Sequence, residues 1–77
     1  MADRERDLVR FIERRLLKQK RRIHPTTPLF QHRLIDSMNI LYLIGYIERA
    51  LGRRLRDEEI VMSNFASARA MAKAFLS

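Results

Sequence analysis

The sequence predicts an all-α fold: a small bundle of three main helices plus one short one, with a long first loop. Three observations carry this. Apolar residues recur at spacings of three and four in three separate stretches, the period of a helix face. Two Gly and two Pro in 77 residues supply too little turn chemistry for a many-stranded β domain. An apolar share of 47% suits one modest core, and a chain of this size buries about 60% of its surface on folding. The expectation is one domain over residues 1–77.

The first helix is expected at about residues 4–22, where Leu8, Phe11, Ile12, Leu16 and Ile23 fall on one side. Asp3, Glu5 and Asp7 stand near its start and Lys18, Lys20, Arg21 and Arg22 near its end, the order that the helix macrodipole favours. His24-Pro25-Thr26-Thr27-Pro28 stops it, because proline lacks an amide hydrogen and disfavours helical geometry in the residue before it. A loop follows over 23–36, with Leu29, Phe30, Leu34 and Ile35 to pin it to the bundle. Loops of this length are often functional.

Asp36 or Ser37 is expected to cap the second helix, at about 37–51, and Gly52 to stop it in a left-handed conformation. After Leu55, residues 57–62 read as a short helix. The last helix is expected at about 67–76, opened by a cap-type serine, with Ala68, Met71, Ala72 and Phe75 on one face.

Composition excludes several classes. The chain has no Cys, which rules out a disulfide scaffold, cysteine-ligated metal and a cysteine nucleophile of its own. His24 and His32 are isolated, and no His, Asp or Glu group has metal-ligand spacing on a helix face, so neither a metal site nor an enzyme is expected. The longest apolar run, Ile40 to Ile47, is too short to span a bilayer. With no apolar signal-peptide core at the start, the chain reads as soluble and cytoplasmic.

The net charge is +7, distributed as +5 over residues 1–25, +3 over 26–56 and −1 over 57–77. Such a balance first points to nucleic acid. Against it, acids alternate with the bases of the first helix, and the last helix lacks the Arg, Asn and Gln cluster of a base-reading element. Asp7 and Glu13 likewise break the basic face that a membrane-surface helix needs.

The second helix is the most informative. Ile40, Leu43, Ile44, Ile47 and Leu51 form one apolar stripe, which the core will take. Met38, Leu41, Tyr42 and Gly45 form another, displaced around the axis. A bundle this small cannot surround the helix, so the second stripe meets solvent, a ligand, a partner or the folded-over loop.

The order of segments carries more. Ile23 is followed by Thr27-x-Leu29-Phe30, then Leu34-Ile35-Asp36-Ser37-Met38 at the head of the apolar helix. That helix closes as Ile47-Glu48-x-x-Leu51-Gly52, followed by Leu55-x-Asp57-Glu58-Glu59 and Asn64-Phe65-x-Ser67. This order and spacing, over nearly the whole chain, resemble the acyl carrier protein family, including the peptidyl and aminoacyl carriers.

The resemblance implies a function. It makes Ser37 the attachment point for a covalent 4'-phosphopantetheine arm from coenzyme A, with Asp36 its motif partner. A separate magnesium-dependent phosphopantetheinyl transferase would install the arm, whose thiol holds an acyl or aminoacyl group as a thioester. The protein would be a monomeric carrier in fatty acid or secondary-metabolite biosynthesis. Its partners would be a loading ligase and downstream synthase or transferase enzymes. Met38, Leu41, Tyr42, Gly45, Glu48 and Arg49 would form the docking face.

The chain differs from many members in two ways. Arg33-Leu34 stands where a Gly is common, and Tyr42 and Arg49 stand where fatty acid carriers often have acids. Charge complementarity then favours acidic or neutral partners over basic ones. The alternative expectation is a small basic helical module that binds nucleic acid or protein without modification.

Overall fold

A computed structural model describes residues 2–76, all helix, turn and loop without a strand. Met1, Ser77 and the side chain of Asp3, which the sequence places near the start of the first helix, lie outside the described residues.

Helix α1 (Ala2–Phe11) continues into a π-helical turn, Ile12–Leu16, closed by the Leu17 amide donating to the Ile12 carbonyl at 3.1 Å. It ends there, six residues short of the expected position 22: Leu17 is extended, at φ −67° and ψ 137°. The reason lies in Lys18-Gln19-Lys20-Arg21-Arg22, which offers nothing apolar to bury and would stack like charges along a helix. Instead the Glu13 carboxylate accepts the Ile23 amide at 2.8 Å and turns the chain back over the bundle.

The loop therefore runs from 17 to 38, longer than the expected 23–36. It is not loose. Leu29 and Ile35 are buried, the Leu29 amide donates to the Ala66 carbonyl at 2.9 Å, and the Arg69 amide donates to the Pro25 carbonyl at 2.8 Å. Arg33 sits at φ 55°, the left-handed region where a side chain is strained. Arg33→Gly should accordingly raise stability by about 0.5–1 kcal/mol, the relief of strain exceeding the added freedom of the unfolded chain. Urea unfolding checks this.

Helix α2 (Asn39–Leu51) begins two residues later than expected. The carbonyls of Asp36, Ser37 and Met38 take the amides of Asn39, Ile40 and Leu41 in a tight lead-in turn. Neither the Asp36 nor the Ser37 side chain caps the helix, contrary to expectation. The turn's own carbonyls have claimed those amides, the Asn39 side chain accepts the Asp36 amide at 2.9 Å, and Lys18 holds the Asp36 carboxylate at 2.8 Å. At the other end Gly52 adopts φ 72°, as expected, and donates to the Glu48 carbonyl at 2.8 Å.

The short helix expected at 57–62 is instead two 3-10 turns, Asp57–Glu59 and Met62–Phe65. Ile60 (ψ 75°) and Val61 (ψ 149°) separate them, adjacent β-branched residues that lose side-chain freedom in a helix. Glu59 anchors this segment. Its carboxylate takes both Arg53 guanidinium nitrogens at 3.0 and 3.1 Å and the Arg56 amide at 2.8 Å. The Arg53 hydrogen bonds, followed by the Arg56 amide, pull the Glu59 carboxyl down from 4.5 to about 2. A depressed carboxyl contributes stability above its unfolded value, lost as the solution acidifies from about 4.5 towards about 2. Glu59→Gln should flatten the stability profile in that window, read by urea midpoints at successive pH values.

Helix α3 (Ala68–Met71) continues into π-helical Ala72–Leu76, matching the expected last helix within a residue. The Ser67 hydroxyl caps it, accepting the Ala70 amide at 3.1 Å. Arg69 forks onto Glu5 at 3.0 and 3.3 Å, clasping α3 to α1.

The core gathers Leu8 and Ile12, Leu29 from the loop, Leu43 and Ile47 from α2, Phe65 and Met71, all fully buried. The rings of Phe65 and Phe75 meet at 5.5 Å. No helix among the described residues is long and apolar enough to cross a membrane.

Candidate functional site

Ser37 lies in the lead-in turn of α2, exposed, with no hydrogen bond to its hydroxyl among the described residues. Its amide and that of Met38 have no acceptor among the described residues. Unpaired amides and the positive end of a 13-residue helix favour an anion there. Asp36 beside it is also exposed, and its pairing with Lys18 joins two side chains at 57% and 61% exposure, so it steers charge more than it stabilises.

From this turn the second apolar stripe runs down α2 in the open. Met38, Leu41 and Tyr42 are 71%, 68% and 63% exposed, so the long loop does not cover them. Gly45 continues the stripe, and a Cβ built on it meets nothing within 4 Å. Packing therefore does not require glycine at this position.

The charged members of the expected docking face divide. Glu48 is half-buried, and its carboxylate accepts the Leu55 amide at 2.8 Å, a clasp on the chain beyond Gly52 rather than a projecting charge. Arg49 is exposed and forms no ion pair among the described residues.

The structure adds a groove of about 680 Å³ between α1 and α2. Phe11, Arg15 and Leu16 form one wall, and Leu41, Tyr42, Gly45, Tyr46 and Arg49 the other, with Asn39 at its head. The rings of Phe11 and Tyr46 pack at 4.6 Å. Burial, helped by the Asp7 charge, pushes the Tyr46 hydroxyl above its ordinary pKa, so it stays protonated near neutrality. Phe11 packs against the core, in keeping with its place on the apolar side of the first helix, and lines this groove as well. The sequence offers no role for Arg15 or Tyr46, because periodicity within one helix does not say which face of another it meets.

Among the described residues no cluster of three or more His, Asp or Glu side chains is placed to hold a metal ion. Compared with protein-family models, curated proteins and solved structures, the chain matches none.

Proposed function

We propose that the chain is a carrier protein that holds an acyl or aminoacyl group as a thioester on a phosphopantetheine arm at Ser37. One observation carries this reading: an exposed, unbonded serine hydroxyl stands at the head of a helix whose flank is apolar and open. The residues fit the group. In loading, Ser37 Oγ forms a bond to the arm's phosphorus. The pyrophosphate P–O bond of coenzyme A breaks, adenosine 3',5'-bisphosphate leaves, and the serine proton passes to a base on the transferase.

The Ser37 and Met38 amides, without an acceptor among the described residues, would be free to donate to the resulting phosphodiester, a contribution of ~0.3–1 kcal/mol at an exposed helix start. Once bound, the arm supplies a thiol that this cysteine-free chain lacks. Met38, Leu41 and Tyr42 would meet each partner enzyme, and the unpaired Arg49 selects surfaces that are acidic or neutral there. The fold is that of an acyl carrier protein in this reading, and the protein works as a cytoplasmic monomer.

The test incubates the purified chain with coenzyme A, magnesium and a broad-specificity transferase. Intact mass should show one added arm, and peptide mapping should place it on Ser37. An unchanged mass, or an arm elsewhere, overturns the reading.

A further inference from the structure

The groove between α1 and α2 has the chemistry of a binding site for one kind of cargo. Most acids of the chain are engaged: Glu5 with Arg69, Glu13 with the Ile23 amide, Asp36 with Lys18, Glu48 with the Leu55 amide and Glu59 with Arg53. Arg15 and Arg49 stand on opposite walls of the groove, and neither has an ion pair or hydrogen bond among the described residues. No carboxylate lines it. Asp7 lines the adjoining depression, near enough for its charge to reach Tyr46, and Arg10, Arg14 and Arg15 outnumber it there. Phe11, Tyr42 and Tyr46 line the same groove as the two arginines, and Gly45 leaves open the space that a side chain would fill.

We propose that this groove receives acyl cargo ending in a free carboxylate, the acyl body lying on the aromatic rings and the carboxylate between Arg15 and Arg49. The proposal rests on the carrier reading of Ser37. Reach is adequate. Arg49 lies about 15 Å along α2 from Asn39 at the helical rise per residue, and an extended arm of about thirteen bonds from phosphorus to sulfur advances about 16 Å. Weak affinity also suffices. An open groove holds a free acid poorly, but a tether raises the local concentration to the millimolar range, so a millimolar site is substantially filled.

The experiment loads isotope-labelled chain from malonyl-coenzyme A and, separately, from butyryl-coenzyme A, whose acyl group carries no charge. Amide and arginine Nε spectra of the two products are compared. Gly45, one of only two glycines, is a convenient reporter. The expected result is that malonyl cargo shifts Gly45, Tyr46 and the Arg15 and Arg49 side chains relative to butyryl cargo. The difference should shrink in 0.5 M salt. Arg49→Gln should lower the bound fraction about two- to fivefold, the worth of an exposed ion pair. Gly45→Leu should remove the difference by filling the groove, with circular dichroism confirming that both variants fold. Identical spectra away from Ser37 for the two cargoes, with Ser37 loaded, overturn this inference alone. Failure of both donors to load Ser37 overturns it together with the carrier reading.

Discussion

Leu43→Ala should destabilise the protein by about 2–5 kcal/mol, and Ile47→Ala by a similar amount. Both side chains are completely buried on the inner stripe of α2, within the core cluster that α1, the long loop and α3 also supply. Removing either forfeits transfer energy and leaves a void that a close-packed interior fills only in part. A 77-residue chain holds roughly 4–12 kcal/mol in total at the usual value per residue, so the loss is a large share. Leu41, two positions away and 68% exposed, is the control. Leu41→Ala should shift stability by no more than about 0.5 kcal/mol, as surface changes do. Urea midpoints for the three variants test the contrast, and equal losses at Leu41 and Leu43 would show that α2 is not oriented as described.

Ser37→Ala should abolish loading completely while shifting stability by less than about 0.5 kcal/mol. The removed hydroxyl is exposed, makes no hydrogen bond among the described residues and caps no amide. Ser67→Ala should behave in the opposite way. That hydroxyl accepts the Ala70 amide, so its loss costs about 0.5–2 kcal/mol while loading by the transferase persists. Mass spectrometry and thermal unfolding on the same pair of variants separate a chemical role for a serine from a structural one. Loading of the Ser37→Ala protein would move the attachment point elsewhere and remove the basis for the carrier reading.

Where local chemistry decides, the sequence was a good guide. Gly52 stops α2 because a left-handed residue there satisfies the Glu48 carbonyl, and Ser67 opens α3 because its hydroxyl takes an orphan amide. Both are settled within a few residues of chain. Leu43, Ile44, Ile47 and Leu51 of the inner stripe of α2 were equally legible, since 3.6-residue periodicity follows from the helix itself, whereas Ile40, expected with them, stays outside the core.

The misplaced boundaries of α1 and α2 share a different cause. The first helix could continue past Leu16 by propensity, but Glu13 captures the amide of Ile23, ten residues on. Asp36 could cap α2, but Lys18 draws away its carboxylate from 18 residues back in the chain. The Glu13 and Lys18 contacts join groups brought together only when the chain has folded. The short helix, by contrast, breaks for a local reason, the adjacent β-branched Ile60 and Val61.

By itself, then, the sequence determined that this protein is helical, which side of α2 is inner, and that an outward-leaning serine-led stripe remains over. Only the tertiary structure decided that the long loop leaves Met38, Leu41 and Tyr42 uncovered, that Glu48 turns inward as a clasp, and that Arg15 and Arg49 line one groove with Phe11, Tyr42 and Tyr46. Periodicity is a property of one helix, read along one axis. A groove is a property of two, and its lining depends on the rotation at which they pack.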